Sequence, residues 1–121
     1  MRSQVFQPML KDLHENSPEI EASAILTVDG LTVTSLLSPS MDPRRQGTMR
    51  AAAMLAMGQQ AVCECACGHF EHVVVHGKEG SVLLVSITTD VVMLVLIKTE
   101  VSWAAFLQRV EQATQAIRRV I

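Results

Sequence analysis

Charge is scarce in this sequence: Asp, Glu, Lys and Arg make up 18% of its 121 residues, against about 25% in an ordinary soluble domain. With 49% hydrophobic residues, such a chain has little polar surface to spare, and part of its apolar surface is expected to face a partner. A basic balance is missing too. The net charge is −2, whereas nucleic-acid binders carry a basic stripe, so no nucleic acid is expected as a partner. Arg44, Arg45 and Arg50 cluster in the middle of the chain, and Arg109, Arg118 and Arg119 near its end; both groups read first as solvated helix faces. Long apolar runs are absent. The longest, Val91 to Ile97, falls far short of the ~20 residues of a membrane span, and membrane insertion is not expected. Met1 to Pro8 shows no long apolar stretch of a secretory leader. Three cysteines in such a chain suit reduced thiols in the cytoplasm rather than a disulfide framework. Neither G-x-x-x-x-G-K-[ST] nor G-x-G-x-x-G occurs, so no nucleotide site or other cofactor is expected.

What is present is a regular alternation of elements in one domain, residues 1–121, without repeat or linker. Phe6, Met9, Leu10 and Leu13 form a helical stripe that ends at Glu15-Asn16-Ser17-Pro18, with Pro8 placed in the first turn. Ile20 to Val28 and Leu31 to Leu36 read as strands around Asp29-Gly30, a hairpin pair because glycine tolerates positive φ. Ser38 to Pro43 is a loop by composition; Asp42-Pro43 suits a helix start, and the helix runs to about Cys67 with Gly68 as its stop. His69 to His76, Ser81 to Ile87 and Val91 to Ile97 are apolar runs joined by segments too short for parallel crossovers. The last two are apolar on both alternating faces, so helices must cover both sides of the sheet. From about Ser102, Trp103, Phe106, Leu107, Val110, Ala113, Ile117 and Ile121 make a closing helical stripe. The expected fold is an α/β (α+β) sandwich: a five-stranded antiparallel sheet between helices, in the order α-β-β-α-β-β-β-α.

The central helix is the informative segment. At ~100° per residue, Ala51, Met54, Leu55, Gly58, Ala61, Val62 and Ala66 gather on one side, and Ala52, Ala53, Ala56, Met57, Gln60 and Cys63 on the other. A helix apolar on nearly all sides is covered on both. The second side is built of small residues and admits a close neighbour. The chain's own terminal helices could supply that cover, but they are already needed across the sheet. A second copy of the same helix is the simpler partner, two-fold self-association being the commonest symmetry.

Cys63, Cys65, Cys67 and His69 invite a metal reading, since zinc accepts such ligands. Residues two apart on a helix point ~200° away from each other, which turns Cys65 from Cys63 and Cys67, and no C-x₂-C spacing occurs. The cysteines are expected to be buried small hydrophobes; a site across a two-fold axis, using Cys63 or Cys67 twice, is the variant that survives. His72 and His76 share a strand face and His69 takes the other. No oxyanion hole or activating third residue accompanies these thiols and imidazoles, so no enzymatic role and no resident metal are expected.

Glu21 to Leu31, the alanine-rich helix from Met49 to Ala61 and Val82-Leu83-Leu84-Val85, taken in this order and length, resemble the Roadblock/dynein light chain family, and the likeness runs from about Phe6 to Val120. The resemblance implies a cytoplasmic, non-enzymatic homodimer in which central helices pair and edge strands join into one sheet. The interface residues it points to are Met49, Ala52, Ala53, Ala56, Met57, Gln60, Cys63, His69, Glu71, His72 and Val73. Bacterial and archaeal members regulate Ras-like small GTPases, which makes such a GTPase the implied partner, and Arg44, Arg45 and Arg50 would form a rim steering an acidic surface. A scaffold for signalling or motility proteins without effect on GTP hydrolysis is the alternative. A thiol or metal sensor built on Cys63 and Cys67 is a third reading. Cys63 to Cys67 departs from the family pattern, in which charged helix residues are more usual.

Overall fold

Eight elements follow one another: α1 (Ser3–Asn16), β1 (Ile20–Thr27), β2 (Thr32–Leu36), α2 (Thr48–Glu64), β3 (His72–His76), β4 (Ser81–Ser86), β5 (Val91–Ile97) and α3 (Trp103–Arg119). They belong to a computed structural model that describes residues 3–36 and 48–121. The strands form an antiparallel sheet in the order β2-β1-β5-β4-β3, so the expected element order and fold class are the observed ones.

Asp29-Gly30 makes the hairpin turn. Gly30 has φ of 89°, its N–H donates to the Thr27 carbonyl at 2.9 Å, and Thr27 N–H donates to the Leu31 carbonyl at 2.9 Å. Glycine takes this left-handed backbone without a Cβ clash. The chain then passes from β2 at one edge of the sheet to β3 at the other. Four interstrand gaps of ~4.8 Å separate those edges, and a helix of 17 residues is about 25 Å long, enough to carry the crossing.

Both sheet faces are covered. Residues paired across antiparallel strands share a face, so Ile25, Met93 and Val85 form one row and Ser23, Val95 and Leu83 another. These rows pack with Phe6, Leu10 and Leu13 of α1 and with Phe106, Val110 and Ile117 of α3. The alternate row of Ala24, Leu94 and Leu84 meets α2 through Ala51 and Leu55. β1 lies in the interior of the sheet, and its residues from Ala22 to Leu26 are all buried, which is why alternation is legible only in its first half.

Polar side chains tie the α1/α3 layer to the sheet. Buried Ser23 lies 2.8 Å from His14 Nε2, and Thr34 Oγ1 donates to Gln7 Oε1. Arg109 Nε donates to buried Ser17 Oγ at 2.8 Å, and its Nη2 reaches Glu19 Oε2 at 3.0 Å. Arg118 Nε donates to the Ile87 carbonyl at 2.6 Å and its Nη2 to the Ser86 carbonyl at 3.3 Å. Arg109 and Arg118 are therefore clasps between α3 and distant segments rather than a solvated face. Thr114, outside the apolar stripe, is buried because its Oγ1 donates to the Val110 carbonyl within the helix, at 2.9 Å. Ile121, counted in that stripe, is 45% exposed beyond the helix end.

Three boundaries differ from the sequence reading. α1 begins before Pro8 rather than at it; the ring is exposed, and the helix forgoes one ladder hydrogen bond there. α2 stops at Glu64, short of Gly68. Ala66 N–H donates to the Cys63 carbonyl at 3.3 Å and Cys67 N–H to the Val62 carbonyl at 2.8 Å, with Ala66 at φ 55°. That is a Schellman closure in which alanine holds the left-handed position usually given to glycine. Gly68, at φ 90°, bends the chain again, and β3 begins at His72 rather than His69.

Two outcomes are expected. Left-handed backbone costs a residue with a Cβ about 1–2 kcal/mol, part of which glycine returns through its unfolded-state entropy. Ala66→Gly should therefore stabilise the reduced protein by about 0.5–1 kcal/mol, read as a higher urea midpoint at unchanged slope. Desolvation lowers the pKa of His14 below the ordinary 6.5, so the unfolded chain takes up a proton that the folded chain resists. Stability should fall as pH drops below about 6.5, and His14→Gln should flatten that limb in urea titrations between pH 5 and 7.

Candidate functional site

Among the described residues, one side of α2 is the feature that the fold leaves uncovered. Among its described side chains Ala51 and Leu55 are buried against the sheet, while Ala53, Ala56, Met57, Gln60 and Cys63 are exposed and Ala52 is half-buried. Met57 stands 73% exposed. α1 and α3 pack together on the opposite face of the sheet, so they do not supply the cover. Ala61 and Ala66, placed on the inner side by periodicity, are also exposed.

Gly58 sets how the chain returns to the sheet. A Cβ there would collide with Phe70 Cε1, so the phenyl ring occupies the space that glycine vacates. Phe70 packs with Leu84, Val73 and the inner residues of α2 and delivers β3 to the sheet edge. His69, read as part of the strand, is an exposed residue of this connection.

Among the described residues β3 is an open edge with defined polarity. Ser86 N–H donates to the Glu71 carbonyl at 2.9 Å and Gly77 N–H to the Gly80 carbonyl at 2.7 Å, so odd-numbered residues turn their backbone groups toward β4. His72, Val74 and His76 turn theirs outward. Their side chains lie on the α3 face, since they pair with Val85, Leu83 and Ser81. Val73 and Val75 lie on the α2 face, opposite Leu84 and Val82. Val75, 50% exposed, extends the apolar surface of α2 onto the edge strand. It is absent from the residues singled out by sequence; the signal for it was the period-two spacing from Val73, which puts both valines on one face of the strand.

The remaining residues read from sequence fall as follows. Glu71 and His72 are exposed and Val73 is half-buried. Met49 and Arg50 lie in the first turn of α2, with side chains outside the described set; Arg44 and Arg45 lie outside the described residues. Cys63, Cys65 and Cys67 are exposed in the single chain, contrary to the reading of buried hydrophobes: Cys63 is on the outer side of α2, and Cys65 and Cys67 follow its end at Glu64. Among the described residues, no three His, Cys, Asp or Glu side chains of one chain converge as a metal would require. No described helix is long and apolar enough to cross a membrane.

Sequence comparison with curated proteins finds no match. Solved structures share the fold. A Roadblock/LC7 domain from Streptomyces avermitilis superposes with a TM-score of 0.81 at 17% identity, covering 93% of both chains. MglB of Myxococcus xanthus gives 0.78 at 14% identity, over 98% of this chain and 92% of its own. An MglB described as having a tetrameric arrangement gives 0.79 at 12% identity, over 95% and 88%. The family profile of the Roadblock/LC7 domain matches residues 7–97, which takes in the sheet, α2 and the edge strand just described, and the chain therefore belongs to the Roadblock/LC7 family.

Proposed function

We propose that the chain acts as a non-catalytic homodimer, joined through α2 and β3, and that this dimer is a platform on which a Ras-like small GTPase is regulated. The observation that carries the reading is the exposed apolar side of α2 running onto the open edge of β3. Met57 and Val75, 73% and 50% exposed, stand beside Ala53 and Ala56, whose small side chains permit close approach of a second helix. Fully burying one Met or Val is worth about 1.5–3 kcal/mol, so covering both residues in two copies contributes several kcal/mol. Association itself costs about 4–15 kcal/mol, and backbone pairing at β3 with packing along α2 contributes the remainder.

In this arrangement Ala53, Ala56, Met57, Gln60 and Cys63 line the helix pair, with Met49 and Ala52 beside them. Val73 joins the seam on the α2 side of the sheet, while Glu71, His72 and His69 lie at its rim. The GTPase partner is supported by the resemblance to GTPase-regulating Roadblock proteins, and the MglB structures share this chain's fold. Arg44, Arg45 and Arg50 are assigned to the rim that would attract an acidic partner surface.

Ala56→Glu tests the reading. Ala56 is exposed in the single chain, so the folded monomer should change by no more than ~0.5 kcal/mol. A carboxylate buried unpaired at the seam costs about 3–5 kcal/mol, enough to weaken dimerisation more than a hundredfold. Light scattering on the reduced, metal-free protein should give a dimer for the unaltered chain and a folded monomer for the variant. Only the dimer should change the single-turnover GTP hydrolysis rate of its cognate Ras-like GTPase. A monomeric parent protein, or a stable dimer carrying Ala56→Glu, overturns the placement of this face.

A further inference from the structure

β3 reads His72-Val73-Val74-Val75-His76, the same in either direction. An antiparallel strand pair about a two-fold axis matches such a sequence with itself, residue type against residue type. We propose that β3 pairs with the partner's β3 about Val74. His72 of one chain and His76 of the partner subunit then form a two-imidazole site for a divalent transition ion of the Zn²⁺ class, twice per dimer. This rests on the dimer proposed above and adds a ligand to its seam.

The register follows from the backbone. His72, Val74 and His76 direct their N–H and C=O groups to the open edge, as the bonds from Ser86 N–H to the Glu71 carbonyl and from Gly77 N–H to the Gly80 carbonyl require. Pairing centred on Val74 engages all three residues in both copies. A shift of the pairing centre by one residue in either direction leaves a terminal histidine without a strand partner. Placing Val73 opposite the partner's Val74 would set α2-side residues against α3-side residues, which the pleat forbids. In the centred register Val73 meets the partner's Val75 on the α2 side, continuous with the helix seam. His72 meets His76 of the partner subunit on the α3 side, with Cα atoms about 5.5 Å apart.

Within one chain the two histidines cannot share an ion. Four residues of strand place their Cα atoms about 13 Å apart, whereas zinc binds imidazole nitrogen at about 2.0–2.1 Å. The partner copy is therefore part of the site. His76 is already oriented for it: its Nδ1 lies 2.8 Å from Ser81 Oγ, and Trp103 meets the ring edge-on at 5.3 Å between centroids. With Nδ1–H donating to Ser81, Nε2 keeps its lone pair for a metal, the arrangement in which a second hydrogen bond sets the ligating tautomer. His72 is exposed and borders a groove that Gln108 and Glu111 of α3 also line, so water and oxygen ligands can complete the coordination.

Complementation between two variants tests the site. Cys63→Ser, Cys65→Ser and Cys67→Ser are introduced into every protein so that thiols do not bind the probe, and each solution mass is checked by light scattering. The parent should be a dimer that binds one Zn²⁺ per chain in a chelator-competition titration. His72→Gln and His76→Gln should each remain dimeric and bind Zn²⁺ at least tenfold more weakly. An equilibrated equal mixture of the two should regain about a quarter of the parent capacity, because half of randomly formed dimers are mixed and each of those rebuilds one site. A parent dimer that binds no Zn²⁺ overturns the metal site and leaves the dimer standing. A chain that is monomeric with and without Zn²⁺, with its cysteines restored as well as replaced, overturns both. Undiminished binding in either variant, or a mixture that regains nothing, overturns the pairing of His72 with His76 of the partner subunit.

Discussion

A sheet that is apolar on both faces constrains everything else in this molecule. The interior strands β1, β5 and β4 offer water no polar side, so each face needs a helical layer. α1 and α3 together cover one face, and among the described residues α2 is the one helix on the other. The asymmetry matters: two helices can shield each other's flanks, whereas one helix must leave its outer side bare. A polar outer side would make α2 an ordinary amphipathic cover. Here that side carries Ala53, Ala56 and Met57, and the scarcity of charge seen in the composition is concentrated where the fold has nothing left to bury it with.

The helix end and the edge strand belong to the same device. Ala66 closes α2 early, Gly68 redirects the chain, and the ring of Phe70 settles against Gly58. This brings β3 to the sheet edge with two valines on the α2 side and two histidines on the α3 side. The unpaired backbone of an edge strand is a liability in a protein meant to remain alone. Placed beside an apolar helix face, it is a second half of one surface, and it adds directional hydrogen bonds to contacts that are otherwise non-directional.

The layer away from this surface is held more firmly. Arg109 joins α3 to the α1–β1 connection through Ser17 and Glu19, and Arg118 joins it to the carbonyls that end β4. Charge-assisted bonds of this kind are stronger than neutral ones. The sheet is thus clasped from the α3 side, and the α2 side is left as the one whose outer contacts are unfilled.

Much of this was legible in the chain itself. Period-two and period-3.6 patterns, the Asp29-Gly30 turn and the short connections determined the element order and the antiparallel sheet, because local periodicity and turn chemistry act over a few residues. The uninterrupted apolar run of α2 likewise announced a helix with two sides to cover. Tertiary structure decided the rest. That the terminal helices lie across the sheet from α2 was expected; the side-chain packing showed that they lean on each other there and that, among the described residues, the outer side of α2 stays bare. Arg109 and Arg118 became clasps because their partners sit far away in sequence, at Ser17, Glu19, Ser86 and Ile87. Cys63, Cys65 and Cys67 turned out exposed because burial depends on what lies opposite a helix, which no periodicity within the helix encodes. Where β3 starts was set by the Phe70 ring packing into the space that Gly58 leaves free, a contact between residues twelve apart in the chain.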